Sequence, residues 1–165
     1  MLNTTWSTKK SFNAQSHDHY QMHIAQLNIA RARQELDQPL MKEFVDNLEP
    51  INAIADASPG FVWRLQDESG DATSIQLFDD PLVIVNMSVW ESIDTLKNFL
   101  FKTHHLDFLK RREEWFEKLD ESSHVLWRIE PGHIPGLEEA RSRLEYLRTK
   151  GESGHAFSFR GKAHH

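Results

Sequence analysis

The chain has no cysteine among its 165 residues, which excludes disulfides and thiolate sites and leaves His, Asp and Glu as the strong metal ligands. Positive charge is also scarce. Nineteen Lys and Arg against 25 Asp and Glu give a formal net charge of −6, the wrong sign for a broad phosphate-binding surface, so no nucleic-acid partner is expected. No run approaches the roughly 18 apolar residues a membrane span needs, and residues 1–20 lack the apolar centre of a signal peptide. The expectation is a cytoplasmic protein that does not touch membranes. A glycine-rich phosphate loop, a His-Glu-x-x-His helix and a Gly-x-Ser-x-Gly elbow are missing too, which sets aside the enzyme classes built on them.

What is present suits one domain, since a chain of this length buries about 68–70% of the surface its unfolded form exposes. Residues 1–21 are polar and aperiodic and are expected to form a mobile arm, residues 22–160 the domain, and residues 161–165 a tail. The arm's His17-Asp18-His19 could catch a metal ion, but ligands that must first be ordered bind weakly, so no metal is assigned there.

Short β-branched stretches predict strands at His23–Ile29, Phe61–Gln66, Leu82–Trp90 and His124–Glu130. Apolar residues at three- and four-residue steps predict helices at Leu40–Ala57, with Pro50 as a possible kink, at Ser92–Phe101 and Lys102–Leu119, and after Gly136 through Leu137, Ala140, Leu144 and Leu147. The acidic connection from Asp67 to Pro81 is long for a hairpin loop, and Ile75–Phe78 could extend the hairpin. The order βαββαβ plus one helix predicts an α+β ferredoxin-like sandwich. Helices on one face only would leave the second apolar face open, and a second copy would cover it, so a homodimer is expected.

Alternation along the third predicted strand sends Asn86, Ser88 and Trp90 to one face and Val85, Met87 and Val89 to the other. A face mixing amides, a hydroxyl and a large aromatic has the lining of a small-molecule pocket. Asn28 on the first strand can share that face, although both amides could instead satisfy backbone groups at strand ends. Trp63 and Trp127 are assigned to packing. His104 and His105 lie about 100° apart on a helix, so at most one enters the cavity, where it could move a proton. The alternative is an exposed or capping histidine.

The stretches "HIAQLNIAR", "INAIADASPGFVWRLQDESGDAT", "VNMSVWESIDTLKNFLFKTHHLDFLKRREEWF" and "LWRIEPGHIPGLEEARSRLEYLR" resemble the uncharacterised family called domain of unknown function 3291. That family is similar to the dimeric α/β-barrel superfamily, which includes antibiotic-biosynthesis and haem-degrading monooxygenases. The resemblance implies two ferredoxin-like subunits forming a barrel, with Trp90 at the strand end and His104 matching the second of two spaced histidines. The first histidine, the iron ligand of the haem-degrading branch, corresponds here to Phe99, which argues against haem. It further implies a cofactor-independent monooxygenase acting on an aromatic or polycyclic compound. Asn28 and Asn86 would hold its oxygen, Ser88 would line the pocket, Trp90 would stack on the ring and His104 would move the proton. The alternative is a non-catalytic ligand-binding or structural dimeric module.

Overall fold

The computed structural model describes residues 21–161; the arm's His17-Asp18-His19 motif lies outside them. Five strands form one antiparallel sheet: β1 (His23–Ala32), β2 (Phe61–Arg64), β3 (Val83–Trp90), β4 (Phe116–Glu117) and β5 (His124–Ile129). β1 lies at the centre, with β3 on one side and β2 beyond it. On the other side β4 and β5 follow one another along the same edge of β1. This is the ferredoxin-like α+β arrangement.

The helices depart from the predicted ones for local reasons. The stripe predicted over Leu40–Ala57 breaks into a 3-10 turn at Pro39–Met41, helix α1 at Lys42–Asp46 and helix α2 at Leu48–Ala57. Pro50 is the third residue of α2, where its missing N–H is harmless, but its ring would clash with the carbonyl of Asp46 four residues back. One continuous helix is therefore not available. Helix α3 (Ile93–Lys102) begins at a capping box: Ser92 Oγ accepts from the Thr95 N–H at 3.1 Å and Thr95 Oγ1 from the Ser92 N–H at 3.2 Å. Gly60 at φ 80° sits against that cap, and a Cβ there would lie 2.4 Å from Thr95.

The long helix expected from Lys102 to Leu119 is also shorter. Helix α4 spans His105–Arg111 and a 3-10 turn follows at Arg112–Glu114. Trp115 then turns inward at 2% exposure, packed with Ala32 and Met41, and Phe116 joins β4. Ile75–Phe78 adds no strand; Leu77 is buried, with Ile75 and Phe78 packed beside it, against the sheet.

The last helix, α5 (Leu137–Lys150), changes the expected architecture most. Ala140, Leu144 and Leu147 bury themselves against Ala25, Leu27, Val85, Met87, Val89 and Trp127. Trp127 is fully buried here and Trp63 packs against the same cluster, as packing residues should. The face expected to need a second copy is thus covered by the chain's own helix. The reason is the apolar stripe of α5, which sequence placed on a helix without showing where that helix docks.

Candidate functional site

The opposite face of the sheet is covered at its two ends and open between them. At one end Ile24, Trp90 and Leu126 lie under Ala55 of α2 and Leu96 and Phe99 of α3. At the other end Ala32 meets Met41 and Trp115, with Phe44 and Phe108 packed beside them. Two hydrogen bonds of 2.6 Å from Arg111 to Glu43 form one bidentate pair that ties α4 to α1 on that side. The guanidinium holds the Glu43 carboxyl below its ordinary range.

Register fixes what occupies the strip between the pads. Asn28 lies opposite Asn86, Gln26 opposite Ser88, and Ile24 opposite Trp90. Asn28 and Asn86 are exposed, whereas Gln26 and Ser88 are both 7% exposed. Gln26 Nε2 donates to Asn86 Oδ1 at 2.8 Å and to Ser88 Oγ at 2.9 Å, and Trp90 Nε1 donates to the same Ser88 oxygen at 2.8 Å. This network orients Asn86: its carbonyl oxygen is engaged from below, so its amide N–H groups face outward as donors. A cavity of about 150 Å³ is lined by Ile84, Ala32, Thr73 and Leu82. A larger open hollow of about 280 Å³ lies beside Pro39 and Lys42, and neither cavity is lined by Asn28, Asn86, Gln26 or Ser88.

Trp90 and His104 do not occupy the places expected of them. Trp90 is fully buried, with Phe99 stacked on it at 5.2 Å and the edge of Phe61 against it at 5.4 Å. Neither ring face is free for a ligand, because the capped start of α3 directs Phe99 back over the strand end. Phe99 supplies no donor atom, so the residues at this position do not fit haem iron. His104 points outward with its side chain 85% exposed and its ring 3.7 Å from Asp107. Its neighbour is the inward histidine: His105 packs on Phe99 at 4.9 Å, and its Nδ1 is buried without a partner. Among the described residues no group of three or more His, Asp or Glu is placed to hold a metal ion.

His105 and His124 both have pKa values pushed below the ordinary 6.5 by burial. The Leu100 carbonyl opposes the shift at His105; at His124 Glu152 opposes it, while Arg160 and Arg112 add to it. The unfolded chain then binds more protons than the folded one once pH drops below about 6.5, so stability is complete above that value and declines as pH falls toward the lowered folded values. Urea titrations from pH 7.5 to 5 should show this slope in the wild type and a flatter one in the double variant His105→Phe, His124→Phe. Equal slopes would contradict it.

Gln26 was not expected among the site residues. Its alternation with Asn28 was visible, but its bonds to Asn86 and Ser88 depend on the β1–β3 register. The arrangement defines a class: a ferredoxin-like domain with a polar strip between two helical pads. The chain belongs to the family described as Domain of unknown function (DUF3291), whose model matches residues 23–165. No curated protein matches it. Among solved structures it is similar to a conserved protein from Methanosarcina mazei Go1, at 12% identity and TM-score 0.48 over 67% of this chain and 96% of that one. It is also similar to SnoaB, a cofactor-independent oxygenase from Streptomyces nogalater, at 18% identity and TM-score 0.45 over 70% of this chain and 99% of that one. PA3566 from Pseudomonas aeruginosa matches at 13% identity and TM-score 0.45, again over 70% of this chain and 99% of that one. No helix among the described residues is long and apolar enough to cross a membrane.

Proposed function

We propose that the protein binds a small oxygen-bearing aromatic molecule on the strip at Asn28 and Asn86 and oxygenates it without flavin or metal. The observation that carries this is the orientation of Asn86, whose carbonyl is held by Gln26 at 2.8 Å so that its amide N–H groups face the strip. A donor fixed in this way favours a ligand oxygen as negative charge develops on it, and it needs no reorganisation when that charge appears. An electron-rich ring such as ionised 1-naphthol can react with dioxygen at carbon. The hydroxyl and the reacting carbon each lose a proton, one oxygen atom becomes the second carbonyl of a naphthoquinone, and the other leaves as water. Asn28 would assist Asn86, with Ser88 and Gln26 as positioning groups.

The second reading, a non-catalytic binding module, draws on Trp90 and His104, since the ring is enclosed and the histidine faces solvent. Titration of 1-naphthol with an oxygen electrode separates the two. Binding with protein-dependent oxygen uptake supports the oxygenase, and binding without uptake supports the module. Asn86→Ala should weaken 1-naphthol binding roughly tenfold, the effect of losing one hydrogen bond to a charged oxygen. Failure of the wild type to bind 1-naphthol would count against both.

A further inference from the structure

The strip has a third member that the family resemblance does not supply. Register pairs His124 of β5 with Asn28, and Asn28 with Asn86, so the three side chains stand abreast on one face of three adjacent strands. Strands lie about 4.8 Å apart, so the row is about 10 Å wide, which matches a bicyclic ring rather than a single one. The His124 ring is half-buried and stacked on Phe159 at 5.5 Å and 27°. Its Nε2 is shut from solvent and has no hydrogen-bond partner, an unusual state for a buried nitrogen.

Burial keeps this imidazole neutral at neutral pH, so one ring nitrogen carries a bare lone pair. With the imidazole proton on Nδ1 the lone pair lies on Nε2, and in that tautomer the row pairs a donor at Asn86 with an acceptor at His124. Accepting a ligand hydroxyl would satisfy the orphaned nitrogen, with a small displacement of the Phe159 ring that stacks on the imidazole.

We propose that His124 is the hydrogen-bond acceptor of this site and selects bicyclic ligands bearing a phenolic or enolic hydroxyl at one end and a second oxygen at the other, bound by Asn86. The inference rests on the binding site proposed above. It makes His124 a specificity-determining residue, whether or not the bound molecule is then oxygenated.

The probes are 1,5-dihydroxynaphthalene and 1,5-dimethoxynaphthalene, which share a skeleton while only the first can donate. Binding by fluorescence should favour the diol in the wild type by roughly tenfold. In His124→Phe the two should bind equally, and in His124→Gln, which keeps an acceptor oxygen, part of the preference should return. In the folded wild type, the nitrogen NMR signal of the bare His124 nitrogen should move when the diol is added and stay when the dimethoxy compound is added, a readout that does not need a variant to fold. An unchanged preference in His124→Phe, or a signal that does not move, overturns the inference. If at the same time Asn86→Ala weakens 1-naphthol binding, the amide site stands without His124. If neither naphthalene binds the wild type, the inference on His124 falls, and the binding site proposed above falls with it only where 1-naphthol does not bind either.

Discussion

Trp90→Ala is expected to lower stability by about 3–5 kcal/mol, the cost of emptying a large aromatic site in a packed core. Trp90 is fully buried, and the cavity left behind would be walled by Phe61 and Phe99, which now lean on the ring at 5.4 and 5.2 Å. Ser88 Oγ would also lose the indole donor that reaches it at 2.8 Å. Trp90→Phe keeps most of the buried area and gives up that donor, so its cost should be near the about 1 kcal/mol of an ordinary hydrogen bond. Urea denaturation measures both. Because both ring faces are covered, Trp90→Phe should leave 1-naphthol affinity unchanged. An affinity loss on the order of 1 kcal/mol with stability intact would restore the role of ligand platform.

The second large effect is expected at Leu144, the fully buried centre of the α5 stripe. Leu144→Ala should cost about 2–5 kcal/mol. Leu144→Asp adds a buried charge with no partner, a further penalty of several kcal/mol, which together approach the total of about 5–15 kcal/mol available to a domain. The helix should then undock. Its absence uncovers Ala25, Leu27, Val85, Met87 and Val89, a continuous apolar surface that water does not tolerate. Light scattering should therefore show self-association of Leu144→Asp where it remains soluble, alongside a lost or lowered unfolding transition. A Leu144→Asp protein that melts like the wild type would show that α5 is not what covers this face.

That second case also marks how far local pattern carries. The leucines of α5 were legible as a helix stripe, and the alternation of β3 was legible as two faces, because both follow from the backbone periods of 3.6 and 2. The docking partner of the stripe was not, since any apolar face satisfies the same pattern. The homodimer expectation drew on that unfilled position as well as on the family resemblance; α5 fills the position and so removes the first of these two grounds. At α4 the apolar residues from Phe108 to Leu119 kept a helical rhythm, yet Trp115 completes a cluster with Met41 and Ala32, and the helix ends before it. Tertiary burial of one indole outweighed the local propensity to continue.

The candidate site divides in the same way. Asn28, Asn86 and Ser88 could be placed on one face from alternation alone. Which amide faces outward depended on Gln26, held beneath it at 7% exposure, and this needed the cross-strand register. The choice between His104 and His105 could not be made from sequence: adjacent helix residues diverge by about 100°, and only the docked position of the helix tells which one turns inward. His124 carried no signal at all beyond opening a strand, because its place in the row comes from a pairing between residues nearly a hundred positions apart.

By itself, then, the sequence determined the order of the four main strands and the helices between them, the two-faced character of the central strands and the lack of any cysteine. These depend on composition and short-range periodicity. The tertiary structure alone decided that the chain covers its own second face, that Trp90 belongs to the core, and that Asn86, Asn28 and His124 stand in one row. Each of these is a contact between segments distant in the chain, selected by burial and register, and no local pattern encodes which distant partner will be met.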